Sequence, residues 1–192
     1  MPAAPEPLDD DIRAELDRVM RGNPPLVLFT TLARDRRLFC KFFGAGLLDR
    51  GNVTIREREI MIDRTTALCG AEYEWGVHVS RFGASAGLTT AQITSLIHGD
   101  ARDECWREND RVLIDLCDEL HRTCGVSDEL WARLTSRHSD EAILELLLLA
   151  GFYHTTSFVV NALTLPLEDG MARFASFPRQ PPDAHTGPSS WA

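Results

Sequence analysis

The sequence predicts an all-α protein, a single domain of six to eight helices. Three observations carry that expectation. Apolar residues recur at three- and four-residue spacing through most of residues 9–174. Helix-opening signals (Thr54-Ile-Arg-Glu57, Thr89-Thr-Ala-Gln92, Ser127, Ser139) stand in front of the apolar runs. Strand-like alternation bounded by turn residues is hard to find. The length of 192 residues suits one domain, and 44% hydrophobic residues can fill a sizeable core.

A first helix opens near Asp9–Asp11 with Ile12, Leu16 and Val19/Met20 on one face, and stops at Gly22-Asn23-Pro24. A second runs from Leu26 through Cys40 and Phe43 to Gly44, and Gly51-Asn52 forms a turn. The Thr54–Glu57 box opens a helix carrying Ile60, Met61, Ala67 and Leu68. One glycine costs a helix only about 1 kcal/mol, so this helix is expected to pass Cys69-Gly70, kinked or unkinked, and continue to Gly83. The Thr89–Gln92 box opens a short helix that ends at Gly99. A long amphipathic helix follows from Glu104 to Cys124, then one capped by Ser127, then a last one from Asp140 to Leu163 before Pro166. Residues 1–8 and 175–192 are rich in Pro, Ala and Ser and are expected to be flexible ends.

Composition removes several function classes. Twenty Lys+Arg against 29 Asp+Glu give a formal charge of −9, which repels phosphate backbones, and no basic patch offsets it. No nucleic-acid partner is expected. Nor is a membrane partner, because no uninterrupted run of about 18 apolar residues occurs and the first residues lack a signal-peptide pattern. Five cysteines without a Cys-x-x-Cys pair read as free thiols in a reducing compartment. The expectation is a soluble, cytoplasmic protein.

The chemistry concentrates between Arg58-Glu59 and His78. Glu74 and His78 are four apart, hence about 40° apart on one helix face. A carboxylate beside an imidazole can orient the ring, raise its pKa and form a proton-transfer pair; the plain alternative is an ordinary surface pair. Glu59 is either a proton-relay carboxylate or part of the charged turn Arg56-Glu57-Arg58-Glu59. Arg58 either clamps a substrate carboxylate or pairs with a neighbouring acid. Tyr73 and Trp75 are either ligand platforms or core anchors. Tyr153-His154 on the last helix can reach the same cavity or sit on a helix face. A metal held by Glu74 and His78 would need further ligands from His154, Glu59 or His121, and no tight ligand motif is present, so neither metal nor cofactor is expected.

The stretch Cys69-Gly-Ala-Glu72-Tyr73-Glu74-Trp75-Gly-Val-His78 resembles the core of the carboxymuconolactone decarboxylase family, which includes the alkylhydroperoxidase D proteins. The redox branch carries Glu, eleven residues, then Cys-x-x-Cys-x-x-x-His. Here Glu59 and His78 match in register, while Ala71 and Glu74 stand where the cysteines would be. Tyr73-Glu74-Trp75-Gly76-Val77-His78 resembles the non-thiol members. The segment Gly87-Leu-Thr-Thr-Ala-Gln and the final helix with Asn161-Ala-Leu-Thr-Leu-Pro resemble the family's flanks, so the likeness covers roughly residues 10 to 170.

The resemblance implies an alkylhydroperoxidase D-like fold and a cofactor-independent lyase of the carboxymuconolactone decarboxylase type, acting on a small carboxylated or carbonyl substrate. His78 would carry the proton, Glu74 tune it and Glu59 relay, with Arg58, Tyr73 and Trp75 binding substrate. Two alternatives stand beside it: a thiol peroxidase using Cys69, and a non-catalytic assembly or ligand-binding module. Peroxide reduction needs a low-pKa thiolate and a resolving thiol, and the two family thiols are missing. The resemblance also implies a homo-oligomer, a trimer or hexamer, which the apolar Leu144, Leu147, Leu148, Phe152 and Phe158 would serve.

Overall fold

A computed structural model describes residues 1–179. Among the described residues it contains nine α-helices, one short 3-10 turn and no strand, as the sequence predicts for the class. The helices are α1 (Asp10–Met20), α2 (Val27–Leu32), α3 (Arg36–Ala45), α4 (Ile55–Leu68), α5 (Glu72–Phe82), α6 (Thr90–His98), α7 (Glu108–Thr123), α8 (Asp128–Thr135) and α9 (Asp140–Ala162).

Both capping boxes form: the Thr54 and Thr89 hydroxyls accept from the Glu57 and Gln92 amides, and those side chains reach back to the cap amides. Ser127 and Ser139 cap α8 and α9 with the hydroxyl alone, accepting from the Leu130 and Ala142 amides. Three boundaries differ from the sequence expectation. The stretch 26–44 is two helices, because Asp35 leaves the helical region and caps a new start by accepting from the Leu38 amide. The helix expected to run from 54 to 83 stops at Leu68. Gly70 takes φ +61, a left-handed conformation natural to glycine, and Ala71 restarts the chain as α5. Residues 104–107 precede α7 rather than opening it, since Trp106 turns inward and donates from Nε1 to Ser95 Oγ at 2.7 Å.

The break between α4 and α5 lets α5 fold back against α4. Helix α4 is the axis of the molecule and packs on α5, α6, α7 and α9. Its residues 59–66 are all buried, so this is a helix without a solvent face. Ile60, Met61 and Ile62 join Trp75, Val112, Leu116, Leu134, Leu146 and Leu149 in the main core. The polar residues of α4 must then find partners inside. Arg64 donates to both Asp118 carboxylate oxygens (2.7 and 2.9 Å) and to the carbonyls of Leu96 and Gly99.

Helix α9 is long and apolar enough to cross a membrane by length and composition. Its apolar content has a packing explanation: Ile143, Leu146, Leu149, Ala150 and Tyr153 line the main core, and Val160 a second one with Leu28, Tyr73 and Val77. Near the N-terminus, Ala4 donates its amide to Thr30 O and Leu8 packs against the α1–α3 cluster. Of the expected flexible C-terminal segment, residues 175–179 are described, and Phe177 meets the Trp75 ring edge-on at 5.6 Å. Residues 180–192 lie outside the described part.

One glycine in α5 is demanded by that returning segment. A Cβ on Gly76 would collide with the backbone carbonyl of Ala172, which no side-chain rotation can relieve. Gly76→Ala should therefore destabilise by about 1–3 kcal/mol, the usual cost of overpacking. Urea unfolding checks this, and an unchanged midpoint would show that the 171–177 segment yields freely.

Candidate active site

The break after α4 sets two helices side by side, and their facing polar residues meet in a buried network. His78 of α5 is 3% exposed, Glu59 of α4 is fully buried, and Tyr153 of α9 is 2% exposed. Glu59 Oε2 lies 2.8 Å from His78 Nδ1, and the Tyr153 hydroxyl lies 3.0 Å from His78 Nε2. Glu74 Oε1 is 3.5 Å from the same Nε2, an ion-pair contact longer than a good hydrogen bond. The imidazole is thus held at both nitrogens by residues from three helices.

The second oxygen of Glu59 accepts from Arg58 Nε at 2.9 Å, and Arg58 also donates to Leu48 O. The guanidinium lies 5.6 Å over the Phe82 ring, which itself packs 5.3 Å from His78. Arg58 and Phe82 are half-buried and form the layer between His78 and solvent.

The electrostatics favour a charged ring. Burial disfavours the imidazolium, but the Glu59 hydrogen bond, then the contact with Glu74, outweigh it and raise His78 to about 10. The Tyr153 phenol is pushed well above its ordinary value by burial first and by the Glu74 and Glu59 charges second. One turn beyond Glu59, Asp63 is fully buried and neither carboxylate oxygen has a hydrogen-bond partner. Burial, reinforced by the Glu59 charge and opposed by His78, raises Asp63 well above the carboxylate range and favours its neutral acid. The site therefore combines an imidazolium, a phenol and the three buried carboxyl groups of Glu59, Glu74 and Asp63, an arrangement able to store and pass one proton.

The structure brings together Glu59, His78, Glu74, Arg58 and Tyr153 of the residues singled out in the sequence. It does not bring Tyr73 or Trp75 to them. The Tyr73 hydroxyl accepts from the Leu28 amide (2.9 Å) and donates to Glu168, on the α2 side of α5. Trp75 is fully buried against Phe174, at 4.7 Å between rings. Both serve as core anchors here, because successive residues of α5 turn about 100° away from the Glu74/His78 face. His154 also points elsewhere and meets His121. Asp63 was missed by sequence reasoning, although a Glu-x-x-x-Asp spacing in a helix reading Ile60-Met61-Ile62 is a legible signal. Two surface clefts of about 370 and 310 Å³ are lined by Asp115, Asp118 and Arg122, and by Glu72, Tyr73 and Asn161, respectively; neither borders His78.

No protein-family model matches this chain, and no curated protein matches it. Solved structures do. An uncharacterized peroxidase-related protein from Silicibacter sp. TM1040 superposes with a TM-score of 0.74 at 18% identity, covering 88% of this chain and 93% of that one. An uncharacterized peroxidase-related protein from Ralstonia eutropha JMP134, described as an alkylhydroperoxidase AhpD core, gives 0.73 at 19% identity with the same coverage. A protein of unknown function from Agrobacterium tumefaciens gives 0.56 at 18% identity, covering 67% of this chain and 84% of that one. At such identities the likeness is one of architecture: the chain has the alkylhydroperoxidase D-like helical fold.

Proposed function

We propose that this protein is a cofactor-independent acid–base enzyme of the carboxymuconolactone decarboxylase type, with His78 as its proton carrier. The observation that supports this reading is the grip on His78, fixed at Nδ1 by Glu59 and at Nε2 by Tyr153 inside the protein. A β-keto or vinylogous keto acid supplies its own electron sink. When its carbon–carboxylate bond breaks, CO2 leaves and the electron pair moves into an enolate. The protein then has to stabilise that anion and return a proton. His78, resting as the imidazolium, gives the Nε2 proton to the carbanionic carbon, either directly or through the Tyr153 hydroxyl. The neutral ring then takes up one proton from solvent, and Glu59 favours that return by stabilising the imidazolium. The same set serves an isomerisation, a cyclisation or a retro-aldol cleavage through an enolate-like anion. Substrate enters past Arg58 and Phe82, where the guanidinium can turn from Glu59 to an incoming carboxylate. A panel of β-keto acids and unsaturated lactone acids, assayed for CO2 release or product isomerisation, tests the reading.

The solved neighbours named peroxidase-related proteins favour a thiol peroxidase as the second reading. The site weighs against it. No cysteine touches the Glu59–His78–Tyr153 network, and burial raises the Cys69 and Cys105 thiols and lifts Cys117 to about 12, away from the thiolate that attacks peroxide. Hydroperoxide consumption with a recycling dithiol should stay at background. Turnover at the rate of a dithiol enzyme would replace the proton-transfer reading with the thiol one. Burial of Glu74 and His78 likewise weighs against a decayed, non-catalytic surface.

We also propose a homo-oligomer, a trimer or a multiple of it. Leu144, Leu148 and Phe158 are 61–66% exposed along one stripe of α9, with Gly151 and Thr155 exposed between them at the spacing of a helix-packing face. Light scattering at micromolar concentration should give at least three times the 21.5 kDa chain mass. A monomeric mass would rule the assembly out.

A further inference from the structure

Away from His78, three ligand-type side chains distant in sequence converge. Cys69 follows the end of α4, His121 lies in the last turn of α7, and His154 sits midway along α9. Their ligand atoms all lie within 4.8 Å of one another. His121 Nδ1 is 3.1 Å from His154 Nε2 and 4.0 Å from Cys69 Sγ. In a tetrahedral zinc site, with bonds of about 2.3 Å to sulfur and about 2.0–2.1 Å to nitrogen, donor atoms stand roughly 3.3–3.6 Å apart. The observed separations bracket that range, and small side-chain rotations bring them into it.

The hydrogen bonding prepares the ligands. His154 Nδ1 lies 3.0 Å from the Ala150 carbonyl, which can only accept, so Nδ1 carries the proton. The lone pair of Nε2 then faces His121 and Cys69, the arrangement by which an outer partner fixes a metal-binding tautomer. An incoming metal would displace the Cys69 thiol proton and bind the thiolate.

We propose that Cys69, His121 and His154 form a zinc-binding site with three protein ligands and an open fourth position. One thiolate with two imidazoles is a donor set suited to zinc rather than to magnesium or calcium. His121 is exposed, so water can occupy the fourth position. The metal would tie the end of α4 to α7 and α9. Tyr153 turns to His78 while its neighbour His154 turns to this cluster, so the site is separate from the proton-transfer network.

Tag-free full-length protein, stripped with a chelator and dialysed, should bind one equivalent of zinc in competition with a chromophoric chelator. Cobalt(II) as a probe should give tetrahedral d–d bands and a thiolate-to-cobalt charge-transfer band. Cys69→Ser should abolish the charge-transfer band, and both Cys69→Ser and His154→Gln should weaken zinc binding by more than about tenfold. Circular dichroism of the metal-free variants confirms that they fold. Absence of stoichiometric binding in the parent, leaving a plain His121–His154 hydrogen bond, overturns the site. So does parent-like affinity in either variant.

Discussion

Replacing His78 by Ala should lower turnover on the true substrate by roughly 10²–10⁴-fold, the contribution of a positioned acid or base. The ring touches Glu59 at one nitrogen and Tyr153 at the other, so its removal cuts the relay in the middle. It also leaves two buried carboxyl groups facing a void. His78→Gln is the companion variant: it fills most of the space and can hydrogen-bond, yet cannot shuttle a proton. Both should be equally impaired per folded molecule. Steady-state kinetics beside a thermal melt separates the two effects, and a folded His78→Gln protein retaining most activity would remove the histidine from the mechanism.

Glu59→Gln should destabilise the protein by about 3–5 kcal/mol, because it strands a buried imidazolium and its Arg58 neighbour against a neutral amide. The pH dependence gives this prediction its signature. The folded pKa of His78 lies above the unfolded value of 6.5, at about 10. Between these limits the native state binds the extra proton, so the stabilisation is fully present below about pH 6.5 and is lost as pH rises through about 10. At about 1.4 kcal/mol per pH decade that interval is worth about 4–5 kcal/mol, in line with the cost of breaking a buried pair. The gap between parent and Glu59→Gln should therefore be widest near pH 6.5 and close towards pH 10. Denaturant melts across that range check it, and a gap independent of pH would mean that His78 is neutral in the native state. Glu74→Gln should change stability less, since its contact with Nε2 is longer.

The capping boxes at Thr54 and Thr89 were readable because the spacing of hydroxyl and carboxyl or amide is itself the mechanism. The helix breaks at Asp35 and at Gly70 were not, because apolar periodicity runs through both and the deciding factor is tertiary. The chain must reverse after Leu68 for α5 to lie on α4, and only then does the left-handed Gly70 become necessary. The same logic governs the site. The i, i+4 spacing of Glu74 and His78 was visible, yet the closer partner is Glu59, nineteen residues away and across a helix interface. The position of Tyr153 on the last helix puts it within reach of the cavity, but its contact with Nε2 depends on how α9 packs against α5. Asp63 carries its meaning only through burial. In a half-exposed helix it would be one more solvated acid, whereas a helix enclosed on every face makes it a carboxyl without partners.

Nitrogen-15 NMR of the His78 side chain across pH tests the central claim most directly. A ring locked between Glu59 and Tyr153 should show both nitrogens protonated at pH 8 and titrate only near pH 10, with the Glu59→Gln variant shifted downward. An imidazole that loses its proton near pH 6.5, as an exposed histidine does, would contradict the account.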